Sequence, residues 1–230
     1  MINKLFLSGG GDQETTYEFD ELFFCSLPLK ANILYIPVAM ASTVEKRKSC
    51  LDWFSKLVSS HESSERHYSF VIWNGDEDLP NLHNYSAIYV GGGNTYRLLA
   101  ILQKTGMLES LLEYIKQGGI YYGGSAGAVI SGRSLRTVEE ENLENYINHL
   151  GMDMVRGFSI FPHFSNSDEQ RGAIKNICVK NTLNIVAVPE GSGIVIEEAN
   201  ICVFGMASVY TQDDKVYECT HGDSLKNFVK

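Results

Sequence analysis

The sequence lacks the patterns that mark disulfide scaffolds, cysteine metal sites and membrane proteins. Its five cysteines are an odd number and include no C-x-x-C pair, which argues against a disulfide framework and against a metal site. No segment approaches the roughly 20 apolar residues that a membrane-spanning helix needs, and the apolar run near the N-terminus is too short for a signal peptide. We therefore expect a soluble, cytoplasmic protein with reduced cysteines and no membrane partner.

Positive charge is also scarce. Lys and Arg number 19 against 28 Asp and Glu, a formal net charge of −9. An acidic surface repels phosphate backbones, which argues against a nucleic-acid partner. The 230 residues, 44% of them hydrophobic, suffice for one substantial core. Because no linker-like stretch or internal repeat divides the chain, we expect one domain over residues 1–230, as a monomer or a homodimer.

Short β-rich runs alternate with helical segments through the first half of the chain. Strands are predicted at residues 4–8, 32–39, 67–73, 87–92 and 119–124, and helices at 14–27, 44–60, 94–102 and 108–117. On the second of these helices we expect a shared apolar face made of Val44, Leu51, Phe54, Leu57 and Val58. Continuous apolar strands separated by helices predict an α/β fold with a doubly wound, mostly parallel sheet. The strand-rich C-terminal part predicts added antiparallel strands at an edge of that sheet.

A single serine stands among glycines in the stretch GIYYGGSAGAVISG (119–132). Gly123, Ser125 and Gly127 match the G-x-S-x-G pattern of a nucleophile elbow, with a predicted strand before it and a helix-compatible segment after it. On such a bend the hydroxyl is exposed at a helix N-terminus, and the amide of Ala126 is free to donate to a developing oxyanion. The alternative is a structural turn in which Ser125 is only the N-cap of the helix.

A nucleophilic serine needs a base, and the sequence has six histidines. His163 follows an apolar run that ends at Pro162 in FSIFPHFSN. A histidine just beyond a strand end lies at the carboxyl edge of a parallel sheet, within reach of Ser125. The alternative is a histidine packed between Phe161 and Phe164.

Two carboxylates compete to orient that base. Glu190, in VAVPEGSG, follows a predicted strand and lies between Pro189 and Gly191, which favour a turn. Glu140 lies in an acidic run (139–142) after the elbow helix, where a solvated surface position is the alternative. The local pattern favours Glu190, and Glu140 remains the rival.

The glycine loop in YVGGGNTYRLL (89–99) is a further candidate element. Its amides, that of Gly92 in particular, are candidates for the second oxyanion donor, and Asn94 or Thr95 is expected to cap the following helix. The alternative is phosphate binding at that helix N-terminus. No G-K-[ST] follows, which excludes a Walker loop, and the glycines at 9–11 lack the third glycine of a dinucleotide-binding fingerprint.

Taken together, these motifs resemble the aspartyl dipeptidase (dipeptidase E) and cyanophycinase family of serine peptidases. The matching segments occur in family order over residues 5–196: YVGGGNTYRLL, GGSAGAVISG, LRT (135–137), FPHFSN, DEQR (168–171) and VPEGSGI. The resemblance implies a flavodoxin-like α/β sheet akin to class I glutamine amidotransferases. It also implies Ser125 as nucleophile, His163 as base and Glu190 as acid, while Glu140 falls where the family has another acid that is also assigned to the charge relay.

The resemblance further implies a substrate. Dipeptidases of this family prefer an N-terminal aspartate, whose carboxylate calls for a bidentate guanidinium. Arg171 of DEQR matches an arginine of the dipeptidase branch, Arg136 is a second candidate, and Asn94 is a further candidate substrate-binding residue. A longer insertion that dipeptidases usually carry between His163 and Arg171 is missing here.

The expected function is therefore a serine peptidase that hydrolyses small peptides, dipeptides with an N-terminal acidic residue in particular, without metal or cofactor. The alternative is a catalytically inactive or regulatory protein that binds a small molecule on the same scaffold.

Overall fold

The structure is a computed structural model that describes residues 4–138, 140–198 and 200–228. Within these ranges the strands are β1 (Lys4–Ser8), β2 (Lys30–Ile36), β3 (His67–Ile72), β4 (Ala87–Val90), β5 (Ile120–Gly124), β6 (Phe158–Phe161), β7 (Asn184–Ala187), β8 (Gly193–Glu197), β9 (Asn200–Phe204), β10 (Met206–Tyr210) and β11 (Val216–Thr220). The helices are α1 (Gln13–Cys25), α2 (Val44–Ser60), α3 (Thr95–Thr105), α4 (Met107–Lys116), α5 (Ala126–Ser131) and α6 (Asp168–Asn181).

A seven-stranded sheet forms the centre of the molecule, in the order β3-β2-β4-β5-β1-β8-β9. Its first five strands in this order are parallel, while β8 and β9 are antiparallel and extend the sheet at one edge. The expectations of a mostly parallel flavodoxin-like sheet and of antiparallel edge strands are both confirmed. In the register of β1 and β5, Ser8 pairs with Gly124, so the loops that follow these two strands begin side by side.

Helices cover both faces of the central sheet, as the doubly wound topology requires. On one face, α1 and α2 pack an aromatic cluster against the sheet that includes Phe19, Phe23 and Phe54. On the other face, α3, α4 and α5 bury apolar side chains such as Leu99 and Val129. Strand β4, between these layers, is buried at all four positions, which explains its continuous apolar sequence.

The predicted apolar face of α2 is correct at three positions and wrong at two. Phe54, Leu57 and Val58 are buried, but Val44 and Leu51 are 78% and 43% exposed. At about 100° per residue, Val44 and Leu51 lie roughly 75–95° from the centre of the buried stripe. Cys50, which the prediction left out, completes that stripe instead.

Four of the strands form a second sheet, which the sequence analysis did not predict. Its order is β11-β10-β7-β6, with β6 and β7 parallel and the others antiparallel. One buried cluster joins the two sheets, and it includes Leu7 and Val90 of the central sheet and Ile160, Val186 and Val209 of the second. Helix α6 covers the other face of the second sheet. The chain passes from β7 of the second sheet to β8 of the central one through the turn that contains Glu190.

Candidate active site

Ser125 stands on a sharp bend between β5 and α5. Its backbone angles, φ 47° and ψ −101°, fall in a region that is strained for any residue except glycine. The glycines around it allow close packing: a Cβ on Gly123 would lie 2.6 Å from the carbonyl carbon of Gly127, and one on Gly127 would lie 2.5 Å from the Val90 carbonyl oxygen. Ser125 occupies the N-cap position but makes no side-chain capping hydrogen bond. The hydroxyl is therefore presented to the site and does not serve the helix.

His163 follows β6, and its ring meets the serine. The Nε2 atom lies 2.8 Å from the Ser125 Oγ atom. The His163 backbone, at φ 53°, is held by an N–H donation to the Gly9 carbonyl at 2.8 Å. Phe161 and Phe164 on either side are buried, whereas the His163 side chain is 48% exposed. The structure thus turns His163 out of the aromatic packing that was its alternative environment.

The two candidate acids have different partners. The Glu190 Oε1 atom lies 2.7 Å from His163 Nδ1, on the ring edge opposite Ser125. The Glu140 carboxylate instead accepts from the Thr95 amide at 2.5 Å and from the Thr95 hydroxyl at 3.0 Å, at the N-terminus of α3. Residue 139 of the same acidic run lies outside the described residues. The structure thus brings Ser125, His163 and Glu190 into one chain of hydrogen bonds and directs Glu140 to the glycine loop.

The two candidate oxyanion donors flank the serine. Gly92 follows β4, and a Cβ placed on it would lie 3.3 Å from the Ser125 Cβ and 3.9 Å from its Oγ. Ala126 is the first residue of α5, and amides in the first turn of a helix have no partner within the helix. Both backbones are therefore placed beside the hydroxyl.

Among the described residues, none of the three candidate substrate-binding residues lines a pocket together with Ser125. Asn94 caps α3 by accepting from the Arg97 amide at 2.9 Å, and its Nδ2 donates to the Glu141 carbonyl at 3.1 Å. The Arg171 guanidinium contacts the Asp168 carboxylate and the Asn166 carbonyl and side-chain oxygens. Arg136 lines another pocket with Tyr96 and His149, and Ser125 is not among the described residues of that lining.

Two pockets meet at Ser125 and His163. The first, which we call the apolar pocket, has a volume of about 410 Å³ and is lined by glycine loops and by four aromatic side chains: Tyr35, Trp53, Tyr89 and Tyr122. These aromatic residues are distant from one another in sequence. Tyr89 and Tyr122 lie in the glycine-containing stretches already described, but those stretches were analysed for their glycines and serine, so sequence analysis missed the aromatic lining. Tyr35 in β2 and Tyr89 in β4 lie between buried aliphatic residues, and this pattern gave no sign that they border a cavity.

The second, which we call the outer pocket, has a volume of about 680 Å³. Besides Ser125 and His163, its lining includes Thr137, Glu140 and Glu169. The described lining of the outer pocket thus includes two carboxylates, and the described residues that line either pocket include no lysine or arginine.

The described residues lack both a metal-binding cluster and a membrane-spanning helix. They contain no group of three or more His, Cys, Asp or Glu side chains placed to hold a metal ion. They also contain no helix with the length and apolar character needed to cross a bilayer.

The fold and the site define a class of protein: a flavodoxin-like α/β protein with a serine on a nucleophile elbow and a histidine in hydrogen-bond contact with it. The model of peptidase family S51 matches residues 5–204, and the chain belongs to that family. The expectation of a serine-type peptidase is thereby confirmed at the level of the family.

Individual relatives agree with this assignment. Peptidase E of Streptomyces coelicolor is 28% identical over 185 residues, which cover 74% of this chain and 70% of that protein. Peptidase E of a Nostoc species is 28% identical over 137 residues, so the match spans only 56% of its length. The crystal structure of a peptidase from an acI-B1 Actinobacterium has a TM-score of 0.71 at 20% identity and covers 97% of this chain and 96% of its own. At that identity the structural match speaks for the fold alone.

Proposed function

We propose that this chain is a serine peptidase that hydrolyses small peptides, dipeptides among them, through Ser125, His163 and Glu190. The observation that carries the proposal is the pair of hydrogen bonds through His163, 2.8 Å to the serine hydroxyl and 2.7 Å to the carboxylate. A base within this distance of the hydroxyl can accept its proton, and an acid on the opposite nitrogen fixes the tautomer that makes this transfer possible.

In the proposed reaction, Ser125 Oγ attacks the carbonyl carbon of the peptide bond while its proton passes to His163 Nε2. The negative charge that forms on the carbonyl oxygen is stabilised by the amides of Gly92 and Ala126. When the C–N bond breaks, His163 returns the proton to the leaving amine, and an acyl-serine remains. A water molecule, deprotonated by His163, then releases the acid and restores the serine.

We assign Glu140 a positioning role outside this proton transfer. Its two hydrogen bonds to Thr95 hold the start of α3, directly after the loop that contains Gly92. A carboxylate at a helix N-terminus is favoured by the partial positive charge there. Glu140 thus supports the loop that would supply one of the oxyanion donors.

The narrower hypothesis, a preference for an N-terminal acidic residue with Arg171 as its anchor, stays a prediction. It is supported by the matching position of Arg171 in DEQR. It requires the guanidinium to leave its contacts with Asp168 and Asn166 and to reach a site whose outer pocket already carries Glu140 and Glu169. The peptidase proposal itself does not depend on this preference.

A fluorophosphonate probe tests the proposal against the alternative of an inactive binding protein. An activated serine attacks such a probe and stays labelled, and we expect mass spectrometry to locate the adduct on Ser125. The variant His163→Ala should react at least about 100-fold more slowly, because the serine then lacks its base. An unlabelled wild-type chain, or labelling that does not depend on His163, would favour the binding protein.

A further inference from the structure

The apolar pocket has rigid aromatic walls beside the serine. Tyr89 and Tyr122 are stacked at a centroid distance of 4.2 Å and an interplanar angle of 9°. Tyr35 is stacked on Phe54 at 4.1 Å and 8°. The Tyr122 hydroxyl also donates to the buried Asp20 carboxylate at 2.5 Å. Because three of the four rings are held by a stacked neighbour, we expect the cavity to be preformed in the absence of a ligand.

The described residues that line this pocket are uncharged apart from the titratable His163. Among the described residues that line it there is no Asp, Glu, Lys or Arg, and His163 at its mouth is engaged with Ser125 and Glu190. Burial raises the pKa of both Tyr89 and Tyr122 well above the ordinary phenol range, so that these hydroxyls stay neutral. A charged side chain would lose its water here without gaining a partner, whereas an apolar one would lose nothing.

The two pockets therefore differ in kind, although both border Ser125. The outer pocket presents the carboxylates Glu140 and Glu169, and the apolar pocket presents aromatic faces around about 410 Å³ of space. That volume is ample for the largest natural side chains and falls in the range of ordinary ligand pockets.

We propose that the apolar pocket binds a large uncharged side chain, above all an aromatic one, of the residue next to the scissile bond. This inference deepens the proposed peptidase function and rests on it, because a scissile bond exists only if the chain hydrolyses peptides. The pocket itself can be tested without catalysis.

The binding test uses the Ser125→Ala variant, which keeps both pockets but cannot hydrolyse the ligand. Calorimetry with Phe-Ala, Ala-Phe and Ala-Ala measures the affinity for an aromatic group on each side of the peptide bond. We expect one of the two phenylalanine dipeptides to bind at least about 10-fold more tightly than Ala-Ala, the ratio typical of filling an apolar pocket. The position of the preferred phenylalanine identifies the side of the bond that the pocket serves.

A filled pocket provides the matched comparison. Ser49 is an exposed residue of α2 that lines the apolar pocket, and Ser49→Phe places a ring at its mouth. Lys56→Phe adds the same ring to an exposed position of the same helix outside the described lining. In the Ser125→Ala background, Ser49→Phe should remove the aromatic preference and Lys56→Phe should keep it. Circular dichroism and the thermal midpoint verify that both variants fold.

The outcomes separate this proposal from the peptidase function. Equal affinity for the three dipeptides, no detectable binding of any of them, or a preference that survives Ser49→Phe would overturn the pocket assignment. Tight binding of an aromatic dipeptide by Ser125→Ala, together with no hydrolysis by the unmodified chain, would leave the pocket in place and reject the peptidase. Hydrolysis without any preference for aromatic dipeptides would support the peptidase function and reject the pocket assignment.

Discussion

The ring of His163 occupies the space that a side chain on Gly10 would need. A Cβ built on Gly10 would lie 2.3 Å from the His163 Cε1 atom and 2.9 Å from each ring nitrogen. The same loop also holds the backbones of His163 and of the turn after Glu190. The Gly9 carbonyl accepts from the His163 amide at 2.8 Å, and the Gly10 carbonyl accepts from the Gly191 amide at 3.1 Å. The loop after β1 therefore aligns the histidine with the turn that carries Glu190.

Gly10→Ala should abolish most of the hydrolytic activity, although it replaces none of the proposed catalytic residues. The new methyl group must push the His163 ring away from Ser125, and a displacement of about 1 Å can cost about 100-fold in rate. We expect kcat/KM for a small peptide to fall at least about 100-fold, with kcat taking most of the loss. Steady-state hydrolysis measures this directly.

Gly222→Ala is the control for this substitution. Gly222 has φ +88°, close to the +93° of Gly10, but a Cβ there would have no atom within 4 Å. Both variants should lose stability from the strained backbone, by about 1 kcal/mol or more. Only Gly10→Ala should lose activity, and full activity in that variant would mean that the histidine is not held by this contact.

Ser125→Ala should remove hydrolysis and leave the fold intact. The backbone at φ 47° and ψ −101° remains strained with alanine, whereas glycine adopts such angles freely. Ser125→Gly should therefore be about 1 kcal/mol more stable than Ser125→Ala, after allowance for the greater freedom of glycine in the unfolded chain. Urea denaturation compares the two. A less stable Ser125→Gly would show that the bend is not a strained feature.

The sequence predicted the parallel core because its strands are apolar runs separated by helical segments, and glycine clusters mark the carboxyl ends of three of them. Ser125 follows β5 of the central sheet, whereas His163 and Glu190 follow β6 and β7 of the second sheet. All three residues come shortly after an apolar run, and the carboxyl ends of strands from both sheets bring them together. Glu140 was harder to place, because an acidic run carries no periodicity and its partner Thr95 lies 45 residues away.

The second sheet and the apolar pocket could not be predicted in this way. Strands β6 and β7 have the apolar sequences of ordinary buried strands, and nothing in those sequences shows that they pair with each other and with β10 instead of joining the central sheet. The walls of the pocket come from β2, α2, β4 and β5, and whether an aromatic side chain borders a cavity or a neighbour is decided by tertiary packing. A single sequence carries no local signal for that difference.

Glu190→Gln should lower kcat far more than Glu140→Gln does. The amide at position 190 keeps the shape but loses the charge that favours the protonated imidazole, and we expect a loss of about 100-fold or more. At position 140 the substitution weakens the interaction of the carboxylate with the N-terminus of α3. We expect it to cost about 0.5–1 kcal/mol in stability and to lower kcat at most about 10-fold. Kinetics and denaturation of both variants decide the assignment, and the opposite ranking would make Glu140 the acid.

The acidic-residue hypothesis makes its own prediction for Arg171. If the guanidinium anchors a substrate carboxylate, Asp-Ala should be cleaved at least about 10-fold faster than Asn-Ala, since a hydrogen bond to a charged group contributes about 1.5–3 kcal/mol. Arg171→Ala should then remove the difference by slowing Asp-Ala alone. Arg136→Ala is the matched comparison, because Arg136 is the second candidate anchor and lines a different pocket beside Tyr96; loss of the difference in this variant instead would assign the anchor to Arg136. Equal rates on Asp-Ala and Asn-Ala in the unmodified chain would reject the anchor.

Asp20 should contribute most to the stability of the folded protein at acid pH, and this contribution should decline as the pH rises. This residue is 1% exposed, and burial raises the pKa of its carboxyl above the ordinary value of 3.8, against the hydrogen bonds from Tyr122 and Thr16 that lower it. The folded state therefore holds the proton more tightly than the unfolded state. The stabilising contribution of the protonated form is complete below the unfolded pKa and is lost between that value and the folded one.

The measurement is the free energy of unfolding in urea, against pH, for the unmodified chain and for Asp20→Asn. The free energy of unfolding of the unmodified chain minus that of the variant should fall as the pH rises through this window. The fall should be about 1.4 kcal/mol for each unit by which the folded pKa exceeds the unfolded one, and the difference should be constant above the window. Asp52→Asn, an exposed position of α2, controls for the removal of one negative charge from an acidic protein. A difference that grows with pH instead would mean that the hydrogen bond from Tyr122 outweighs burial and that Asp20 is held as a stabilised carboxylate behind the apolar pocket.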